Sequence, residues 1–278
     1  MAATSVIARA ANGVLRTFLA PTCAACGVDL DEPLTSPVCG SCWRDVPALT
    51  PPYCVRCGDA LASTLTAGPL CARCRRHAPV VTLARSAGRY DGSLRQIVHA
   101  FKYDGCRVLA APLAILMQQA SDGVLDGVDA VVPVPLHPWR AWQRGFNQAD
   151  DLARALAGAL EVPVWRMLRR ARHGPPQASL PAAQRHANVR TAYALRRDLA
   201  AHVVSRIVVT ADWPERRARN RVVVLVDDVM TTGATLEACG RVLLTAGVRS
   251  VRALTVARAV ATRPSRPRPP LHPETARR

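Results

Sequence analysis

At 278 residues the chain can hold one large domain or two modest ones, and its 49% hydrophobic content is enough for a packed core. Only 4% of residues are aromatic, so that core is expected to be built of Ala, Val and Leu. The formal charge of +17 favours anionic partners such as phosphates, nucleic acid or acidic lipid, unless it reflects a general arginine preference of the source.

Along residues 1–20, Val6, Ile7, Ala10, Val14, Leu15 and Phe18 fall on one helical face, which predicts a short amphipathic helix docked on the protein. The apolar residues are too interrupted for a secretory leader, and no apolar run approaches the roughly 18–20 residues of a spanning helix. A cytoplasmic protein without stable membrane insertion is expected. Next come four CxxC pairs: Cys23/Cys26, Cys39/Cys42, Cys54/Cys57 and Cys71/Cys74. Cys23-Ala24-Ala25-Cys26-Gly27 recurs as Cys54-Val55-Arg56-Cys57-Gly58, so the segment is an internal repeat with four thiolates per unit. Four thiolates suit one tetrahedral, closed zinc site, and disulfides are disfavoured where thiols stay reduced. The repeat predicts sequential sharing, Cys23, Cys26, Cys39 and Cys42 on one ion and Cys54, Cys57, Cys71 and Cys74 on the other; a cross-braced arrangement stays open. Arg44, Arg56, Arg73, Arg75, Arg76 and His77 decorate the module, and Trp43 and Tyr53 are candidates for base stacking. Cys106 and Cys239 stand alone as small buried hydrophobes.

From His77 the pattern changes. A strand is predicted over 80–90, then a helix carrying Leu94, Ile97, Val98 and Phe101 that Gly105 ends, then a helix over 108–120. Val128 to Pro135 reads as a buried strand whose two prolines stiffen its exit. Arg140 and Arg144 follow in the loop before the next helix, and with the amides of Asn147 and Gln148 they offer a donor surface for pyrophosphate. Further strands are expected over 162–168 and 203–210. Between them a polar, proline-rich connection holds Gln177 and Arg185, and could close over a ligand. Residues 212–220 read as a charged surface excursion.

Val222 to Thr235 organises the rest. Five aliphatic residues form a strand covered on both faces, followed by Asp227, Asp228 and the turn Thr231-Thr232-Gly233-Ala234-Thr235. Leu236, Cys239, Leu243 and Ala246 recur at helical spacing beyond it. A turn opening a helix offers free N–H groups and the positive dipole end to a phosphate. Two carboxylates beside it can accept hydrogen bonds from vicinal hydroxyls, and a ribose 5-phosphate carries both groups. The plain alternative is a core strand with a capped helix and a solvated acidic pair. A last strand over 248–259 precedes an Arg/Pro-rich tail expected to be disordered.

Taken together, the paired CxxC units, Val132-Pro133-Val134-Pro135, Arg144-Gly145-Phe146-Asn147-Gln148, the Gln177–Asn188 segment and the acidic motif resemble the ComF/GntX family of phosphoribosyltransferase-like proteins over roughly Phe18 to Ala259. The resemblance implies an α/β fold, a type I phosphoribosyltransferase-like parallel sheet with helices on both faces, plus an N-terminal double zinc ribbon. The implied division is a helix over 1–20, ribbon over 21–78, transferase domain over 79–261 and tail over 262–278. It further implies that Asp227 and Asp228 bind the ribose hydroxyls and Thr231, Thr232, Gly233, Ala234 and Thr235 the 5-phosphate. Arg140 and Arg144 would face pyrophosphate, with Gln177 and Arg185 on the flexible loop. Phosphoribosyl pyrophosphate with Mg²⁺ is the implied ligand, two Zn²⁺ the structural metals, and pentosyl transfer to an undefined acceptor the implied activity. Family members are linked to competence and DNA uptake or use, so single-stranded DNA or competence proteins are further partners. A DNA-binding factor of the same fold without turnover is the alternative.

Overall fold

The computed structural model describes residues 21–63, 68–170, 192–196 and 218–260. The N-terminal helix, the strand at 203–210, Gln177, Arg185 and the tail lie outside the described residues. In chain order the elements are α1 (Gly40–Arg44), α2 (Ala72–Arg76), β1 (Ala84–Arg89), α3 (Gly92–Tyr103), α4 (Ala110–Gln119), β2 (Ala130–Pro133), α5 (Pro138–Arg144) and α6 (Gln148–Leu160). They continue with β3 (Leu168–Arg170), β4 (Tyr193–Leu195), β5 (Val222–Met230), α7 (Ala234–Thr245) and β6 (Ser250–Arg258). No described helix is long and apolar enough to cross a membrane.

β1, β6, β5 and β2 lie side by side in that order, every pair parallel, while β3 and β4 form a separate antiparallel pair. Side chains alternate across a strand, so the aliphatic run of β5 divides between two layers. Val222, Val224 and Val226 meet Leu94, Ile97 and Phe101 of α3, Leu113 and Met117 of α4, and Leu152 and Leu156 of α6. Val223 and Leu225 face the other way, onto Leu236, Cys239 and Leu243 of α7. Both faces are therefore covered, which is why the run carries no polar alternation. Fully burying each of these large aliphatic side chains contributes about 1.5–3 kcal/mol.

Local chemistry sets the helix ends. Asp91 caps α3 by accepting from the Gly92 N–H at 2.8 Å, and Gly105 just past its end has φ +65°. Asn147 caps α6, its Oδ1 accepting from the Ala149 N–H at 3.2 Å. Three expectations change. The strand expected over 162–168 reduces to a single parallel bridge, Val164 to Val131, with β3 starting only at Leu168. The segment with Arg140 and Arg144, expected to be a loop, is helix α5; of the excursion at 212–220 only 218–220 are described, with Ala218 buried and Arg219 and Asn220 exposed.

The ribbon is fastened to the sheet. Gly88 of β1 meets the backbone of the first unit: a Cβ there would stand 2.9 Å from the Pro47 carbonyl, so the approach requires glycine. Arg85 donates to the Val55 carbonyl at 3.0 Å and to Asp122 at 2.8 Å, while the Ala84 N–H donates to the Arg56 carbonyl. Arg258, at the end of β6 and 2% exposed, donates to the Cys57 carbonyl at 2.7 Å and pairs with Asp59 at 3.0 Å. The aromatics proposed for base stacking are engaged in this packing. Trp43 donates to Ser36, and Tyr53 bonds Asp122 and lies under the Arg85 guanidinium.

Candidate functional site

The eight paired cysteines gather sequentially. Cys23, Cys26, Cys39 and Cys42 form one group and Cys54, Cys57, Cys71 and Cys74 the other, with the sulfurs of each group within 4.8 Å of one another. Contacts of 4.0 Å for Cys23–Cys42, 3.8 Å for Cys26–Cys39 and 3.7 Å for Cys57–Cys71 match the edge, about 3.8 Å, of a tetrahedron with zinc–sulfur bonds of 2.3 Å. Gly27 and Gly58 take φ of +76° and +68°, turning each knuckle so that their N–H groups return to the Cys23 and Cys54 carbonyls. Burial pushes the Cys23 thiol up, but the N–H groups of Cys39, Cys26 and Ala25 outweigh it and hold the thiol below its usual range. Both groups fit one zinc each. In the second unit the four cysteines are themselves the buried core, with Leu61 and Leu70 packed beside them. Of the two single cysteines, Cys239 is buried and Cys106 is half-buried.

At the carboxyl edge of the sheet lies a cleft of about 400 Å³. Asp227 and Asp228 line it from β5, Thr235 from the start of α7, and Arg140 and Arg144 from α5. A parallel sheet brings these together because its strands all end on one side, where the loop after β2 meets the turn after β5. Thr231 and Thr232 are exposed on that turn, and Gly233 takes φ +76° at the helix start. Four cationic side chains, Lys102, Arg140, Arg144 and Arg170, face two carboxylates across the cleft. Such a site favours a ligand bearing anionic groups together with hydroxyls.

Asp227 and Asp228 are not equivalent. Lys102 Nζ closes on Asp228 at 2.7 Å, both side chains being largely buried. Asp227 accepts from the Asp228 N–H at 2.9 Å. Burial first, and the neighbouring Asp228 second, push the Asp227 carboxyl up to about 7. Arg144 donates to Gln148 and to Tyr103, both at 3.1 Å, and stacks on the Tyr103 ring, which holds its guanidinium at the rim. The amides expected to face pyrophosphate are engaged by the fold. Asn147 caps α6 and donates to the Val134 carbonyl, and Gln148, 1% exposed, links Arg144 to the Lys102 carbonyl.

Among the lining residues not singled out from the sequence are Arg170, Tyr193 and Lys102. Arg170 and Tyr193 sit on β3 and β4, whose pairing across an intervening segment of the chain leaves no local pattern to read. Tyr193 lines the cleft, and burial pushes its phenol up to about 12. Lys102 did leave a signal: of 37 basic residues it is the one lysine, in a chain that otherwise uses arginine throughout.

Competence protein F of Haemophilus influenzae is 30% identical over 228 residues, covering 80% of this chain and 90% of that protein. The chain belongs to the competence protein F family. The DNA utilization protein YhgH of Salmonella typhimurium is 31% identical over 223 residues, 77% of this chain and 87% of its own. Competence protein ComFC of Bacillus subtilis is 25% identical over 229 residues, 80% and 84% of the two chains. Residues 143–275 match the phosphoribosyl transferase domain and residues 14–75 the double zinc ribbon domain. The fold is accordingly a phosphoribosyltransferase-like parallel sheet behind a cysteine-rich double ribbon. Within this family member, β1, β2 and Lys102 precede the matched transferase stretch yet belong to the same sheet and cleft.

Proposed function

We propose that this chain binds phosphoribosyl pyrophosphate in the cleft and transfers its phosphoribosyl group, in the service of DNA uptake or use as the names of its relatives suggest. The observation that carries the reading is the convergence of Asp227, Asp228, Thr235, Arg140 and Arg144 on one cavity. The Thr231–Thr235 turn holds the 5-phosphate on its N–H groups, and the acidic pair accepts from the ribose hydroxyls. An acceptor nucleophile attacks the anomeric carbon and gives up a proton. The bond to pyrophosphate breaks with its electron pair going to the leaving oxygen. Lys102, Arg140 and Arg144 stabilise the departing anion. The carboxylate oxygens of Asp227 and Asp228 are ligands of the kind magnesium takes, and a cation would relieve the Asp228 repulsion that adds to burial in raising Asp227. Magnesium carried with the pyrophosphate supplies neutralisation of its charge.

A second reading is favoured by one surface feature. Trp139 and Trp142 are 60% and 82% exposed beside Arg140, a pairing of aromatic faces and cations suited to single-stranded DNA. Replacing both Asp227 and Asp228 by Asn separates the two. If the cleft is a transferase, release of pyrophosphate from phosphoribosyl pyrophosphate, screened over a panel of nucleobases and amines, falls at least about a hundredfold, the scale of lost electrostatic stabilisation. If DNA binding without turnover is the function, the wild type releases none, and its DNA affinity falls steeply with salt whether or not the acids are present.

A further inference from the structure

The second ribbon unit reaches the phosphate turn directly. Arg73 of α2, between the ligands Cys71 and Cys74, donates through Nη1 to the carbonyl of Thr232. A Cβ placed at Gly233 would stand 3.6 Å from its Nη1 and 3.8 Å from its Nη2, so the guanidinium lies along the turn rather than touching it at one atom. On its other side Arg73 faces the sulfurs of Cys57, Cys71 and Cys74, whose negative charge favours its charged form. A second arginine repeats the tie one step earlier. Arg258 joins the Cys57 carbonyl at 2.7 Å to the sulfur of Met230, the residue preceding the turn, at 3.6 Å.

We infer that the second zinc knuckle is a brace for the sugar-phosphate turn, with Arg73 its positioning residue. The reasoning is geometric and rests on the phosphoribosyl reading of the cleft. The Thr232 carbonyl and the Gly233 N–H belong to one planar trans peptide unit and point in opposite directions. A cation fixed on the carbonyl therefore aims the Gly233 N–H away from the ribbon and polarises it as a donor. Four zinc-bound thiolates carry a net charge of about −2, from one Zn²⁺ and four deprotonated sulfurs, and hold Arg73 in place by its other edge. The first unit has no comparable tie to the turn among the described residues; its Cys23, Leu30, Val38 and Cys42 pack instead into the core layer beneath α3.

The test uses the full-length, zinc-replete protein with ribose 5-phosphate and pyrophosphate as calorimetric probes. Arg73→Met keeps the apolar stem and removes the guanidinium. Ribose 5-phosphate binding is expected to weaken about tenfold, the scale of one charge-assisted hydrogen bond, with pyrophosphate binding and two zinc ions per chain retained. Arg73→Lys, which keeps one charged donor for the carbonyl, is expected to fall between the two. Unchanged ribose 5-phosphate affinity in Arg73→Met with zinc retained overturns the inference. If that variant loses zinc, an affinity of Arg73→Lys equal to the wild type's overturns it instead. If the wild type binds neither probe, the reading of the cleft has failed, and the brace is then judged by hydrogen exchange of residues 230–236. Faster exchange in Arg73→Met supports it and equal exchange sinks it.

Discussion

Asp227 and Asp228 are chemically identical neighbours that the fold drives apart. Lys102 offsets the charge of Asp228 at 2.7 Å, while Asp227, partly buried beside another carboxylate, has its carboxyl pushed up to about 7. Its folded value is raised above the unfolded value of 3.8, so the folded chain binds more protons than the unfolded chain between those limits. The associated stability is present below about pH 4 and is lost as pH rises through about 7. Urea midpoints of the unliganded protein should decline over that window and level off above it, and Asp227→Asn should flatten the decline. A hydroxyl-bearing ligand needs the ionised carboxylate, so ribose 5-phosphate affinity should move the opposite way, rising toward pH 8. A midpoint profile identical in Asp227→Asn and wild type would place the raised carboxyl elsewhere. At this scale the acidic pair and the hydroxyl turn were legible because they adjoin in sequence. The inequality of the two acids was not, since it depends on Lys102, more than a hundred positions away and brought in by a different helix.

Among elements, the aliphatic half of β5 and the buried face of α7 were readable, although β5 runs on through the acidic pair to Met230 and α7 opens at Ala234, inside the stretch read as a turn. A strand buried on both faces needs uninterrupted aliphatic residues, and the helix behind it shows its period in Leu236, Cys239 and Leu243. β3 and β4 were not readable, because three-residue strands paired across a segment of the chain carry too few positions for a pattern. Between β5 and α7 the joint is Gly233 at φ +76°. Gly233→Ala meets only ordinary contacts, the nearest being Arg73 Nη1 and Met230 Sδ at 3.6 Å, so its cost is the left-handed backbone, about 1–2 kcal/mol. Gly127→Ala provides the control, with φ +59° and open space around it, away from the turn. Both variants should lose similar stability in thermal unfolding, and Gly233→Ala alone should lose ribose 5-phosphate affinity as the turn shifts to relieve the strain. Equal binding by the two would detach the turn from the phosphate.

For the molecule as a whole, the cysteine spacing announced two metal knuckles but not where they would sit. Docking depends on Arg85 and Arg258, which in the sequence look like any of the other arginines and in the fold are nearly buried with their partners on the ribbon. The ribbon is thus part of the core's own hydrogen bonding. Removing zinc from the second unit dissolves a cluster made of little but cysteine, and with it the Cys57 carbonyl and Asp59 that Arg258 needs. A guanidinium left buried without partners is strongly unfavourable, and because Asp59 is 40% exposed the loss is expected to be about 2–3 kcal/mol rather than the full value of an enclosed pair. Stripping zinc with a chelator should therefore lower the urea midpoint of the sheet itself. It should also speed hydrogen exchange in β6 at 250–258 more than in β2, and restoring zinc should reverse both. A sheet that unfolds at the same urea concentration with and without zinc would show the ribbon to be a separate appendage, and the brace on the phosphate turn would fall with it.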